Sequence, residues 1–153
     1  LLWSKHPRFI NEVELNRDEI KTRKKKKEDD HFYPYNFYAN RKLIEENEVN
    51  TLLNLVFLTK EENAKKQDVP PSIWLEKRKK ELKSTGEEEL NFFETSLLPF
   101  DSISDLKHAE MSFMNHKGSV KPLLFKKYYD KFLKKRYKIL EKELKRLQRG
   151  DIS

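Results

Sequence analysis

The sequence predicts an all-α protein in which several helices are joined by extended aromatic-rich segments and the last helix is long and basic. Three observations predict this class. Apolar residues recur mainly at helical spacing, Pro and Gly residues stand where helices would end, and no alternating pattern is long enough for a sheet. The length of 153 residues suits one domain with a modest core, because domains typically have about 100 to 200 residues.

The first region, residues 1–40, is predicted to be an N-terminal arm with a short helix and an aromatic-rich loop. The helix begins near Asn11, a favourable N-cap residue, and runs into the basic cluster 23–27. This cluster fits a phosphate-binding patch, a nuclear localisation signal or a solvated helix end. In the loop, residues 31–40, five of the ten residues are aromatic, and Pro34 prevents a continuous helix.

The second region, residues 41–118, is predicted to be a small helical body. Asn40 can cap a long helix from Arg41 to about Lys66, in which apolar residues approximate helical spacing. Pro and Gly residues then divide the chain into further helices. These helices are predicted over residues 73–83, 87–97 and 105–115.

The third region, residues 119–153, is predicted to be a long basic C-terminal helix from Pro122 to Arg149. Pro in the first turn and Gly150 just past the end are typical of helix boundaries. Between Lys121 and Arg149 there are twelve basic and three acidic residues, a net charge of +9, whereas the whole chain has +7. The positive charge is therefore concentrated on one helix about 40 Å long.

Such a helix can bind nucleic-acid phosphates, because each phosphate neutralised releases counterions. The alternative is a solvated helix face whose aliphatic stems cover apolar surface. The predicted RNA-binding residues are Lys126, Lys127, Lys131, Lys134, Lys135, Arg136, Lys138, Lys142, Lys145, Arg146 and Arg149.

Aromatic and apolar residues are predicted to contact neighbouring proteins. With 39% charged residues the chain has little core to receive its aromatic rings, and an apolar stripe on the last helix recurs at steps of four and three. Alternatively, the rings fold back onto the core, and the apolar stripe packs the last helix against the helical body of the same chain. The predicted partner-binding residues are Trp3, Phe32, Tyr33, Tyr35, Phe37, Tyr38, Trp74, Leu133, Tyr137, Leu140, Leu144 and Leu147.

No catalytic, metal or cofactor site is predicted. The chain has no cysteine, which excludes disulfides, thiolate metal sites and thiol nucleophiles. Its four histidines are scattered at His6, His31, His108 and His116, without the i, i+4 pair of a zinc-binding helix. The three glycines stand at predicted helix ends, which excludes a phosphate-cradling loop. We therefore expect no enzyme, no small-molecule substrate and no cofactor, and the short apolar runs predict no transmembrane segment.

These features predict a non-catalytic structural subunit of a large ribonucleoprotein, namely an organellar (mitochondrial) ribosome. Its basic helix would bind ribosomal RNA phosphates, and its aromatic segments would bind several neighbouring proteins. The alternative is a protein-only accessory (supernumerary) subunit or coiled-coil scaffold of a multiprotein complex such as a respiratory assembly. The expected compartment is the mitochondrion, otherwise the cytoplasm or nucleus. Because the first residue is Leu1, we expect a fragment or a product from which a leader was removed.

Overall fold

The structure, a computed structural model, describes residues 27–39, 41–66, 68–115 and 119–150. In chain order its elements are β1 (Lys27–His31), α1 (Tyr35–Tyr38), α2 (Glu46–Val49), a 3-10 helix (Leu52–Asn54), β2 (Leu55–Thr59), α3 (Lys60–Lys66), α4 (Pro71–Leu82), α5 (Gly86–Thr95), α6 (Ile103–Met111) and α7 (Pro122–Gln148). The mostly helical fold class with its long C-terminal helix is confirmed. The predicted helix near Asn11, the residue Trp3 and most of the basic cluster 23–27 lie outside the described residues.

Helices α4 to α7 confirm the four helices predicted after residue 70, because local signals fix their ends. Pro71 and Pro122 stand in the first turns of α4 and α7, where a missing N–H costs no helical hydrogen bond. The side chain of Thr85 accepts a hydrogen bond from the Glu88 N–H in a capping box that begins α5. Ser102 caps α6 by accepting from the backbone N–H of Asp105 at 3.0 Å.

The predicted long helix from Arg41 to Lys66 is wrong, as is the prediction that the chain has no sheet. Residues of this stretch form α2, the 3-10 helix, β2 and α3 instead. Strand β2 pairs antiparallel with β1, so that Lys27 lies opposite Thr59 and His31 opposite Leu55. The hydrogen bonds of this pairing outweigh the approximate helical spacing of leucines in β2 and before it.

The core is built largely from aromatic rings that follow β1 and rings on the inner face of α7. Ring centroids lie 5.0 Å apart for Tyr33 and Phe132, and 4.3 Å apart for Tyr38 and Phe125. Phe32 stacks on Phe132 at 5.8 Å. These rings bury the inner face of α7 against the segment after β1, so the long helix is part of the body of the fold.

This packing corrects the partner-binding prediction for several residues, because this chain's own core already covers their side chains. The buried ones are Phe32, Tyr33, Phe37, Tyr38, Trp74 and Leu140, while Tyr35 and Leu133 are half-buried and pack against the core. Leu147 is half-buried, and Tyr137 and Leu144 are 55% and 48% exposed; for these three, partner contact stays a prediction. Among the described helices, none is both long and apolar enough to cross a membrane.

Candidate active site

The two strands and helix α3 form a frame around the end of β1. Helix α3 follows directly on β2 and contacts both strands. Its last residue, Lys66, donates hydrogen bonds from Nζ to the Asp30 carboxylate and to the backbone oxygen of His31. Burial lowers the pKa of Lys66, and the neighbouring Asp30 carboxylate opposes that shift. The end of β1 is thus fixed to α3 through a buried ammonium group.

Asn54 fixes the two residues that follow His31. Its side-chain Oδ1 accepts from the Tyr33 N–H at 2.9 Å, and its Nδ2 donates to the Tyr33 oxygen at 3.0 Å and to the Val49 oxygen at 3.1 Å. The Phe32 N–H donates to the backbone oxygen of Asn54 at 2.6 Å. Asn54 is fully buried, so this short side chain replaces the backbone partners that the turn after β1 lacks.

Arg136 on α7 holds the backbone on both sides of Asn54. Its guanidinium donates to the oxygens of Leu53 at 2.9 Å, Leu55 at 2.5 Å and Ser96 at 3.2 Å. Burial lowers the pKa of Arg136 to about 10, with Tyr129 opposing the shift. Arg136 was predicted to bind RNA, but it is 0% exposed. Its guanidinium binds three carbonyl oxygens of the chain itself.

His31 is half-buried at this fixed strand end, with the Tyr35 ring centroid 6.4 Å from its own. Asp30 precedes it in β1, and the Asp30 carboxylate accepts a hydrogen bond from Lys66. Asn63 lies on α3 three residues before Lys66, and residues at this spacing share a helix face. An imidazole and a carboxylate thus follow one another at the end of β1, and such groups are suited to moving a proton and to binding a hard cation.

A metal at this place would have few protein ligands. No group of three or more His, Cys, Asp or Glu residues that could hold a metal ion occurs in the described ranges. Asp30, which precedes His31 in β1, is the carboxylate nearest to it in the chain. This small set suits Mg²⁺, which usually keeps several waters and takes one or two carboxylates together with substrate phosphates.

This site could not be recognised in the sequence as long as all four histidines were interpreted as isolated. His108, the other histidine that the structure describes, is exposed on α6. For His31 a signal was present: Asp30 precedes it, Pro34 closes the segment after it, and the Leu55–Thr59 run is rich in residues that favour strands. If the Leu55–Thr59 run had been predicted as a strand, a partner strand ending near the helix that follows it would have been expected.

The basic residues predicted on the last helix fall into three groups. Arg136 is buried, as described above. Lys126 and Arg146 are half-buried and bind the carboxylates of Glu48 and Glu143. The exposed ones are Lys127, Lys131, Lys134, Lys135, Lys138, Lys142, Lys145 and Arg149.

A family model described as "GmrSD restriction endonucleases, C-terminal domain" matches residues 3–106, which is 104 of the 153 residues. The matched span includes Asp30, His31, Asn54, Asn63 and Lys66, and it ends before α7. No curated protein and no solved structure matches the chain.

The match overturns the functional predictions made from the sequence. Restriction endonucleases are nucleases, so the prediction of a non-enzyme is wrong, and so are the mitochondrial ribosomal subunit and the accessory subunit of a respiratory assembly. The predicted partners, ribosomal RNA and neighbouring ribosomal proteins, are wrong because a restriction endonuclease domain implies DNA as substrate. The mitochondrial localisation is wrong because restriction–modification systems are typically bacterial. Since the match covers more than half of its length, this chain belongs to the family described as GmrSD restriction endonucleases, C-terminal domain.

Proposed function

We propose that this chain carries the DNA-cleaving centre of a restriction endonuclease and that His31 is the general base of phosphodiester hydrolysis. The observation that carries this proposal is the fixation of the backbone around His31. Strand β2 pairs with β1 as far as His31, the buried Lys66 donates to the His31 oxygen, and the buried Asn54 binds the backbone of the two residues that follow. Catalytic side chains need such support, because small displacements of a reacting group cost large factors in rate.

Hydrolysis needs a base that accepts a proton from the attacking water near neutral pH, and histidine is the side chain best suited to this task. In the proposed step the water oxygen bonds to phosphorus and its proton passes to the His31 imidazole. The bond from phosphorus to the leaving ester oxygen breaks, and that oxygen takes a proton from solvent. His31 meets the requirement for access because it is only half-buried at the surface end of β1.

Asp30 and Asn63 are the residues that would hold a divalent cation at this site. One oxygen of Asp30 accepts from Lys66, which leaves the other oxygen of this carboxylate for a cation. When bound, such a cation would stabilise the negative charge that develops on the phosphate and the leaving oxygen. We therefore expect cleavage to stop when the divalent cation is removed with EDTA.

The test compares His31→Ala with His108→Ala in cleavage of plasmid DNA by the purified chain with Mg²⁺. We expect His31→Ala to lower the rate by roughly 10² to 10⁴-fold, the usual contribution of a general base. His108→Ala is the matched control, since it removes the same side chain from an exposed helix face, and we expect the wild-type rate. Circular dichroism melting of both variants verifies that they fold.

Two outcomes contradict the proposal. Cleavage by His31→Ala at the wild-type rate would remove His31 from the chemistry. Absence of cleavage by the wild-type chain on any duplex, with Mg²⁺ or Mn²⁺ present, would assign cutting to another part of the enzyme.

A further inference from the structure

We infer that the outer face of α7 binds the phosphate backbone of the DNA duplex that the enzyme cleaves. The inference rests on the proposed function for its substrate, duplex DNA. The basic stripe is the set of exposed cations on this face: Lys127, Lys131, Lys134, Lys135, Lys138, Lys142, Lys145 and Arg149.

These eight cations form one straight stripe along the helix. They follow one another at steps of mostly three and four residues, so at 3.6 residues per turn they fall within an arc of about 100°. The arc lies roughly opposite the inner face, on which Phe125, Phe132 and Leu140 are buried. Within the arc from Lys127 onward every residue is basic, and Asp130 and Glu141 fall outside it.

The fold makes little use of the charges on the basic stripe. In the described part of the chain, Lys145 is the one member with an ion pair, to Glu141 at 2.9 Å on the same helix. By contrast, Lys126 and Arg146 lie outside the stripe, and their partners are Glu48 and Glu143. Like charges three and four residues apart destabilise a helix, so an array of this kind gains stability when a polyanion lies along it.

The composition of the basic stripe favours a regular polyanion over a protein partner. Protein interfaces bury a core enriched in aromatic and apolar side chains, and the arc has none between Lys127 and Arg149. The stripe is about 33 Å long, close to the length of about 34 Å for one helical turn of B-DNA. Duplex DNA carries one negative charge per about 1.7 Å of this length.

Helix α7 also has a fixed position relative to the candidate active site. Arg136, on its inner face, binds the carbonyl oxygens on both sides of Asn54, and Asn54 binds the residues after His31. A duplex bound to the outer face is therefore bound to the same helix whose inner face supports the candidate active site. The family match ends at residue 106, so this surface lies beyond the matched span.

The test measures how DNA binding depends on salt in two triple variants of the full chain. One variant, Lys131→Gln, Lys138→Gln and Lys142→Gln, neutralises three members of the basic stripe. The other, Lys77→Gln, Lys80→Gln and Lys83→Gln, removes the same charge from exposed lysines on and beside α4. Fluorescence anisotropy with a 30-base-pair duplex from 50 to 300 mM KCl, with EDTA to prevent cleavage, gives the slope of log K against log salt.

We expect the α7 variant to bind more weakly and its slope to be shallower by about 2.7, since each phosphate contact contributes about 0.9. The α4 variant should keep the wild-type slope. Three results would each overturn the inference. The slope is unchanged in the α7 variant, both variants lose DNA affinity equally, or the wild-type chain binds DNA without salt dependence. If the α7 variant keeps the wild-type slope for DNA and the basic stripe binds an acidic protein instead of DNA, the partner of this surface is a protein.

Failure of the catalytic proposal gives a different pattern. If His31→Ala cleaves like wild type while the α7 variant loses salt-dependent binding, the DNA-binding surface stands and the general base is elsewhere. If His31→Ala is inactive and the α7 variant binds like wild type, the catalytic proposal stands alone.

Discussion

Glu110 on α6 makes the stability of this fold dependent on pH. The carboxyl group is 0% exposed and faces the first turn of α4, where the Ser72 N–H donates to it at 3.4 Å and the Ser72 hydroxyl donates to its other oxygen. Burial raises the pKa of Glu110 from 4.5 to about 7, although the hydrogen bonds from Ser72 oppose the shift. The neutral acid is thus the form that this part of the core favours.

The sign and size of the effect follow from linkage between protonation and folding. Above pH 4.5 the unfolded chain releases this proton, while the folded chain keeps it up to about pH 7. The contribution of Glu110 to stability is therefore complete below pH 4.5 and is lost as the pH rises through 7. The difference between the two pKa values corresponds to about 3 kcal/mol in the free energy of unfolding.

The variant Glu110→Gln removes the titration but keeps groups that can bond with Ser72. Urea unfolding of wild type and variant at intervals between pH 4.5 and pH 8 gives the difference in their free energies of unfolding. We expect this difference to shift in favour of the variant by about 3 kcal/mol as the pH rises across this range. Taking the difference cancels the titration of the other carboxylates.

A difference that stays constant between pH 4.5 and pH 8 would refute the argument, because Glu110 would then titrate alike in folded and unfolded chains. Glu94→Gln is the matched control. It removes one carboxylate from an exposed position on α5, so it reports any effect of net charge alone.

Two further predictions concern the support of the candidate active site. Asn54→Ala leaves the Tyr33 N–H and oxygen without partners inside the protein, which should lower the free energy of unfolding by about 2 to 4 kcal/mol and slow DNA cleavage at temperatures where the variant is folded. Urea titration and plasmid cleavage measure both effects. If a folded Asn54→Ala variant cleaves at the wild-type rate, the turn after β1 keeps its position without Asn54. Arg136→Met removes the hydrogen bonds that the carbonyl oxygens of Leu53, Leu55 and Ser96 accept from the guanidinium, and it should cost about 3 kcal/mol. An unchanged urea midpoint would contradict the role assigned to this guanidinium.

The helices after residue 70 could be predicted because their signals are local. Thr85 and Ser102 are N-cap residues, Pro71 and Pro122 open helices, and Gly150 follows α7 with a positive φ of 78°. Each signal acts within one helical turn. The sequence therefore determined the type of these four elements and their bounds to within a few residues.

The sheet could not be predicted in the same way, because each strand forms its ladder hydrogen bonds only with the other. Strand β1 reads Lys-Glu-Asp-Asp-His, which has no apolar alternation, and its partner β2 follows more than twenty residues later. Such a pairing is a long-range event, and it decides between strand and helix for a run of four apolar residues and one threonine. The same pairing brings α3 back to the end of β1.

The sequence by itself determined the helical class, the long C-terminal helix and its concentrated positive charge. Tertiary structure decided which of these side chains are buried in the core and which remain exposed. The aromatic rings after β1 find their partners on α7 within the chain, so Phe32 and Tyr33 are core residues. Arg136 looks like its neighbouring lysines in the sequence, but packing buries it against carbonyl oxygens. His31 became a candidate for catalysis only when Asn54 and Lys66, distant in sequence, were found bound to the backbone beside it, because hydrogen bonds between distant residues leave no periodic signal in a sequence.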